Sequence, residues 1–334
     1  MTSTTPLFES HNSLSLDPRV AVVIPCFRVA QHLAGVLSGI QSEVGAIYCV
    51  IDGCDQGSSS VAQAAAYDDQ RIRVLEHDRN QGVGSACLTG YRQALADGAD
   101  IIVKLDGDGQ MCSADIPCLI LPLLRGEADY VKGNRFSNLE HLRSMPTIRL
   151  LGNAGLSFFS KLSSGYWNIF DPTNGFTAMH SSVARQIPWE RLHRGYFFES
   201  DLLFRLYTLR AVVVDQPLPA RYAGEQSSLN VLRALTRFPI YHCTNFFKRI
   251  FYCYFLRDFN LASLNLLVAV GLLTFGLLFG ITQWVRGIEL QQFNSAGTVM
   301  LAALPLIMGW QALLAFLSYD MSNIPHKPLQ RQIR

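Results

Sequence analysis

Two uncharged runs near the C-terminus constrain this chain more than any other feature. Leu261 to Val285 is 25 residues without a charge, and Ala296 to Tyr319 is 24 more. A helix needs about 20 apolar residues to cross the hydrocarbon core of a bilayer. A buried core helix can be equally apolar. Two such runs in succession, joined only by Arg286 to Ser295, are read as a membrane-spanning hairpin. Lys248, Arg249 and Arg257 precede the first run, and Lys327, Arg331 and Arg334 follow the second. The connector carries one Arg and one Glu. The excess of cations on the outer flanks then places both termini in the cytoplasm and the connector outside.

The low overall charge, 16% against about 25% in an average soluble chain, is concentrated in this last quarter. A net charge of +2 is too small to argue for nucleic acid. The eight cysteines show no CxxC pair and no zinc spacing, so they are read as reduced and mostly buried. Met1 to Asp17 is polar with no apolar core of a signal peptide, and is read as part of a flexible tail, residues 1–18.

Before the hairpin, strand-like and helix-like stretches alternate. Val20 to Pro25, Ile47 to Asp52, Ile72 to Leu75 and Ile101 to Val103 are short β-branched runs. Between them lie helical patterns at Val29–Gln41, Val61–Tyr67 and from Asn80-Gln81-Gly82-Val83-Gly84-Ser85 to about Asp97. Further strands are expected at Tyr130–Gly133, up to His180 and at Val212–Val214, and further helices from Asp115 to Leu124, Leu150 to Leu162 and Glu199 to Thr208. Such alternation predicts an α/β fold with a doubly wound, mostly parallel sheet. The domain is expected to run over residues 19–228. Leu229 to Asp258 interleaves aromatics with Arg233, Arg237, Lys248, Arg249 and Arg257. Residues 229–260 are therefore read as amphipathic juxtamembrane helices on the membrane surface, the alternative being a helix packed on the globular domain. The hairpin is assigned to 261–320 and a cytoplasmic tail to 321–334.

The chemistry concentrates in Lys104-Leu105-Asp106-Gly107-Asp108-Gly109-Gln110, where a buried strand ends. Ligands of open α/β sheets bind outside the carboxyl ends of strands. Two carboxylates and an amide oxygen form a hard-oxygen set for Mg²⁺ or Mn²⁺, and the glycines let a diphosphate approach. Asp-Gly-Asp-Gly is also ordinary turn composition, so the rest of the chain must support the reading. A dinucleotide-binding domain needs GxGxxG after the first strand, and Pro25-Cys26-Phe27-Arg28 stands there instead. No GxxxxGK[ST] is present, and His77, His180 and His193 are too scattered for zinc.

The ordered series VVIPC, an Asp-bearing second strand, NQGVGSA, KLDGDGQ, GNRF, DPTNGF and YFFESDLLFRL resembles family 2 inverting glycosyltransferases of the GT-A fold. With its two C-terminal spans, the chain is similar to the polyprenyl-phosphate group of that family, which includes dolichyl-phosphate mannose synthases and bactoprenol glucosyltransferases. The resemblance covers residues 20–230 by motif and the rest by architecture. It implies that Pro25 borders the nucleotide, that Asp52 recognises the base, and that Asp106 lies near ribose and metal. Asp108 and Gln110 match metal ligands. Arg135 and Arg221 match arginines that hold phosphates at the reaction centre. An acidic position of the family falls on Glu199 or Asp201, and either is placed to fill it; Asp201 is taken as the catalytic candidate. Two departures stand out. The family's Pro-x-Tyr-Asn-Glu reads Pro25-Cys26-Phe27-Arg28-Val29, and its Asp-Asp pair reads Asp52-Gly53.

The resemblance implies an enzyme that moves a hexose from an NDP-sugar to a polyprenyl phosphate at the cytoplasmic face of a lipid bilayer, with Mg²⁺ or Mn²⁺. The alternatives are the same donor chemistry with another lipid or glycan acceptor, or a non-catalytic nucleotide-sugar-binding membrane protein. The QxxRW stretch of processive synthases is absent. Two spans are a thin anchor, so a homo-oligomer is expected.

Overall fold

A computed structural model describes residues 18–54, 56–135, 147–172, 174–218 and 231–332. Seven strands form one sheet in the order β3-β2-β1-β4-β6-β5-β7. They are β1 (Val20–Cys26), β2 (Val44–Asp52), β3 (Ile72–His77), β4 (Ile101–Lys104), β5 (Tyr130–Asn134), β6 (Thr177–His180) and β7 (Val213–Pro217). All pairings are parallel except those of β6, which runs antiparallel between β4 and β5. The α/β, mostly parallel architecture expected from the sequence is present.

The strand sequences explain the order. β1 is apolar throughout because helices cover both of its faces. Ala21 and Val23 point into one core with Tyr48, Val50, Tyr91 and Phe198. Val20, Val22 and Ile24 point into the other with Leu33, Val36, Ile47 and Leu119. This is the two-residue alternation of a strand. Pro25 is tolerated in a central strand because β4 registers only with Val20 to Val23, so Pro25 lies beyond the ladder on that side.

The helices of this part are α1 (Ala30–Ser38), α2 (Ser58–Asp68), α3 (Val83–Ala96), α4 (Ile116–Leu124), α5 (Thr147–Ser164), the single turn α6 (Ser181–Ala184) and α7 (Phe198–Leu209). Then come α8 (Val231–Phe251), a π-helical turn over Tyr252–Arg257, α9 (Leu261–Glu289) and α10 (Ala296–Ser322). Asn260 and Ser263 form a reciprocal cap at the start of α9. Helices α9 and α10 pack side by side. A Cβ added at Gly276 would come within 2.8 Å of Leu306, and one at Gly309 within 2.9 Å of Leu273, so the glycines permit the close approach. Each helix is about 40 Å long at 1.5 Å per residue. Only 11% of the most apolar stretch of each is buried. A core helix of a soluble domain would be covered; these two are long and apolar enough to cross a membrane.

The hairpin is fastened to the globular part. Buried Arg249 of α8 grips Asp320 of α10 through two bonds, Nη1 to Oδ1 at 2.5 Å and Nη2 to Oδ2 at 3.0 Å. Asp320 also accepts from Tyr254 OH and Trp167 Nε1, and Arg249 donates to Leu162 O. Arg249 is fully buried, so it does not belong to the exposed basic flank that the sequence suggested. The helix α8 packs against α5 and α7, while Phe247, Lys248 and Phe251 on its other side stay exposed. The segment after α10 is not a loose tail over its described residues. Leu329 and Gln330 donate backbone N–H groups to buried Asp129, and Arg331 donates to Arg125 O.

Candidate active site

The end of β4 carries a buried cation. Lys104 is 1% exposed, on a strand paired on both sides, and a charge there requires partners. Its Nζ lies 2.6 Å from Asp106 Oδ1, 3.2 Å from Glu199 Oε1 and 3.2 Å from Gly175 O. Burial alone would push the ammonium down, but the facing Asp106 and Glu199 carboxylates outweigh it and hold Lys104 well above the usual lysine range. One side chain thus ties together the end of β4, the first turn of α7 and the loop before β6. Gly175 leaves room for this packing: a Cβ there would fall 2.3 Å from Asp106 Oδ2 and 2.5 Å from Lys104 Nζ, so one of the two side chains would have to shift.

The loop beyond β4 turns on Gly109, whose φ of +77° favours glycine. Asp108 Oδ1 accepts the backbone N–H of Gln110 at 3.1 Å, an Asx-type turn that fixes the carboxylate. Asp106, Asp108 and Gln110 are all partly exposed at the strand end. Pro25 is partly exposed at the end of β1, where β1 outruns β4.

Asp52 sits at the end of β2 but is 2% exposed. Its Oδ1 accepts Gln81 N–H and His77 Nδ1–H, each at 2.8 Å, and its Oδ2 accepts Gly82 N–H at 2.8 Å. His77 is in turn fixed by Thr89 at 2.9 Å. Both oxygens of Asp52 therefore hold the turn that starts α3.

Arg135, just past β5, makes a two-pronged pair with fully buried Asp171, Nε to Oδ2 at 2.8 Å and Nη2 to Oδ1 at 3.1 Å. Beside it, buried Lys132 donates to Asn174 O at 2.8 Å, and burial pushes its pKa down to about 8. Asp215, in the middle of β7, is pushed up to about 6 by burial. Arg221 lies outside the described residues.

Glu199 and Asp201 part company. Glu199 faces Lys104 and the Asp106 loop. Asp201 faces away from Lys104: its Oδ2 accepts His193 N–H at 3.0 Å and lies 3.4 Å from Arg205, and its Oδ1 accepts Asn245 Nδ2 from α8. Of the two acids left open by the sequence, Glu199 is the one beside the site. Sequence reasoning also gave no role to Lys104, Asp171 or His77. The signal for Lys104 was present: a lysine closing a wholly apolar strand, two residues from an aspartate.

A family model described as Glycosyl transferase family 2 matches residues 21–187, half of the chain. The chain belongs to glycosyl transferase family 2. Among curated relatives of this family-2 chain, the UDP-N-acetylglucosamine–dolichyl-phosphate N-acetylglucosaminyltransferase of Methanococcus voltae is 25% identical over 239 residues, covering 68% of this chain and 94% of the relative. The undecaprenyl-phosphate mannosyltransferase of Micrococcus luteus is 27% identical over 203 residues, covering 60% and 82%. Glucosyl-3-phosphoglycerate synthase from Mycobacterium tuberculosis, solved with Mn²⁺, UDP-glucose and phosphoglyceric acid, superposes with a TM-score of 0.52 at 18% identity, covering 70% of this chain and 80% of that one. The likeness shows a shared GT-A fold.

Asp106, Asp108 and Gln110 are hard-oxygen donors of the type that takes Mg²⁺ or Mn²⁺, and one Asp106 oxygen is already held by the Lys104 ammonium. No group of three or more His, Cys, Asp or Glu converges among the described residues. Mg²⁺ is characteristically held by one or two carboxylates together with substrate phosphates and water, and Asp106, Asp108 and Gln110 supply that number of protein oxygens.

Proposed function

We propose that this family-2 glycosyltransferase is anchored in a bilayer by α9 and α10 and transfers a hexose, with inversion, from an NDP-sugar to a polyprenyl phosphate at the cytoplasmic face. One observation carries the reading: a glycosyltransferase domain with its acidic loop braced by Lys104 is clamped, through Arg249 and Asp320, to an exposed apolar hairpin. The activities for which the Methanococcus voltae and Micrococcus luteus relatives are named, both transfers to polyprenyl phosphates, support the acceptor class. Such an acceptor cannot leave the membrane, so its enzyme must work at the surface.

In the reaction, an oxygen of the acceptor phosphate attacks the anomeric carbon, and the bond from that carbon to the donor's diphosphate oxygen breaks. The products are a polyprenyl-phosphate sugar and the nucleoside diphosphate. A phosphate monoester loses its second proton with a pKa of about 6, so the acceptor is already anionic at neutral pH and needs positioning more than a strong base. Negative charge builds on the leaving diphosphate. When bound, Mg²⁺ or Mn²⁺ supplies charge neutralisation there, held by Asp106, Asp108 and Gln110. Asp171 presents the Arg135 guanidinium in a fixed orientation, and Arg135 and Arg221 are assigned to the phosphates. Pro25 borders the nucleotide. Glu199 takes the acidic position of the family, while Asp52 shapes the Gln81–Gly82 turn beside the donor rather than touching the base. A homo-oligomer remains part of this reading; a monomer by mass in nanodiscs would count against it.

The test is transfer of labelled sugar from a panel of NDP-sugars to undecaprenyl phosphate and dolichyl phosphate in detergent, with Mg²⁺, Mn²⁺ or EDTA. Metal-dependent, solvent-extractable product from one donor is expected. Donor hydrolysis without lipid product points to another acceptor, and neither signal from folded protein rejects the reading.

A further inference from the structure

The catalytic domain shows water an aromatic patch that its own core does not explain. On α5, Ser160, Ser163 and Ser164 are buried while Phe158 and Phe159 are 52% and 47% exposed. Phe170, on the loop that follows, is 51% exposed, with Lys161 Nζ 5.7 Å from its ring. A helix that buries serines and exposes phenylalanines reverses the usual pattern for a water-facing surface.

The position of the patch identifies its partner. Phe158 packs edge-on to Trp167, with ring centroids 6.2 Å apart, and Phe158 and Phe159 are 6.0 Å apart. Trp167 donates its Nε1–H to Asp320, the residue immediately after the uncharged run of α10. The patch therefore starts one side chain from the level at which the hairpin's apolar surface ends. The adjoining end of α8 and its connector to α9 expose Phe251, Tyr252, Leu256 and Phe259 at the foot of the same hairpin. The headgroup zone adds about 5–7 Å on each side of the hydrocarbon core, and tryptophan with an apolar body and a polar N–H settles there. A lysine beside the aromatics suits anionic headgroups.

From this continuity we infer that Phe158, Phe159 and Phe170 form a second membrane contact, seated in the headgroup layer of the bilayer that holds the hairpin. The inference rests on the reading of α9 and α10 as membrane spans. The hairpin alone would let the domain tilt on its clamp; a second contact on α5 fixes the orientation of the sheet's carboxyl end relative to the lipid surface.

The experiment uses the full chain in nanodiscs of phosphatidylcholine and phosphatidylglycerol, with the photoreactive residue p-benzoylphenylalanine placed singly at four positions. Positions 159 and 170 sample the patch, replacing one aromatic with another at exposed sites. Leu278, 64% exposed on α9, reports the hairpin, and Tyr67, 90% exposed at the end of α2, reports the solvent side. After irradiation, mass spectrometry counts phospholipid adducts. The expected result is adducts at 159 and 170 in yield comparable with 278, and none at 67. Adducts at 278 but at neither 159 nor 170 overturn the inference and leave the membrane reading intact. No adduct at 278 overturns the membrane reading and this inference with it. Cross-links from 159 or 170 to a second copy of the chain in place of lipid also overturn it, making the patch a protein interface.

Discussion

The Lys104 ammonium sits 2.6 Å from Asp106 and 3.2 Å from Glu199, fully enclosed, at the strand end where the acidic loop begins. The two carboxylates come from elements almost a hundred residues apart, and without the lysine they would face one another with no cation between them.

Replacing Lys104 with Met should therefore lower stability by about 3–5 kcal/mol, the scale for breaking a buried ion pair by removing one partner. Adding Glu199→Gln to Lys104→Met should recover part of the loss, because it removes one of the stranded charges. Denaturation of the two single variants and the double variant in detergent gives the coupling. Strict additivity would count against the bridge, since contacting groups usually couple by about 0.5–3 kcal/mol.

Asp108 and Asp201 should respond in opposite ways. Asp108→Asn should lower sugar transfer by a factor of about 100 or more while leaving the melting temperature unchanged, as loss of a group that acts on developing charge does. Asp201→Asn loosens the contacts to His193, Asn245 and Arg205, and should cost about 1–3 kcal/mol of stability with near-normal transfer per folded molecule. Normal transfer by Asp108→Asn removes the catalytic reading of that loop.

Asp52→Ala should destabilise the fold by about 1–3 kcal/mol or more, because it leaves the N–H groups of Gln81 and Gly82 and the ring of His77 without their acceptor. If Asp52 instead recognised the base, the variant would raise the KM for the donor and leave stability alone. Melting curves and donor titrations together decide between the two.

Gly175 offers a steric probe of the same centre. Its φ is not in the left-handed region, so Gly175→Ala acts through its new methyl group, which overlaps Asp106 Oδ2 and Lys104 Nζ. Overpacking of this kind costs about 1–3 kcal/mol. The displaced Asp106 should weaken NDP-sugar binding, measured by calorimetry with Mn²⁺ present. Unchanged binding and stability would mean that the loop has room the geometry denies.

His242 predicts a pH dependence. Its Nδ1 lies 2.7 Å from Ser163 Oγ in the α8–α5 contact, and burial pushes its pKa down to about 4. The unfolded value is about 6.5, so the folded state favours the neutral ring. The contribution of His242 is intact above about pH 6.5 and is lost as pH falls toward 4. The stability advantage of the wild type over His242→Asn should shrink across that window by on the order of 3 kcal/mol. A difference that stays flat with pH refutes the buried neutral ring.

The sheet was legible because its strands are buried on both faces and read as unbroken apolar runs: VAVVIPC and IYCVID announce themselves. The acidic loop was legible because glycine and aspartate alternate at a strand end. The partners of these residues were not. Whether Glu199 or Asp201 faces the site depends on the rotation of α7, and the two differ by about 200° around a helix, which a motif two residues wide does not encode. The resemblance assigned Asp52 to the base; the fold adds that the Gln81–Gly82 turn is folded back onto its carboxylate, a contact the sequence does not encode. Arg249 looked like a membrane-facing cation because its neighbours are aromatic, and its partner Asp320 lies 71 residues further on.

Asp129 binds Val212 with one carboxylate oxygen and shares both of its oxygens between Leu329 and Gln330, some two hundred residues downstream. During synthesis, the ribosome must therefore release the sheet and the whole hairpin before this buried charge meets its last donors. Until then the edge of the sheet near β5 and β7 is unfinished. Maturation of the globular domain is thereby made to wait for the hairpin, because the residues that complete it follow the hairpin in sequence.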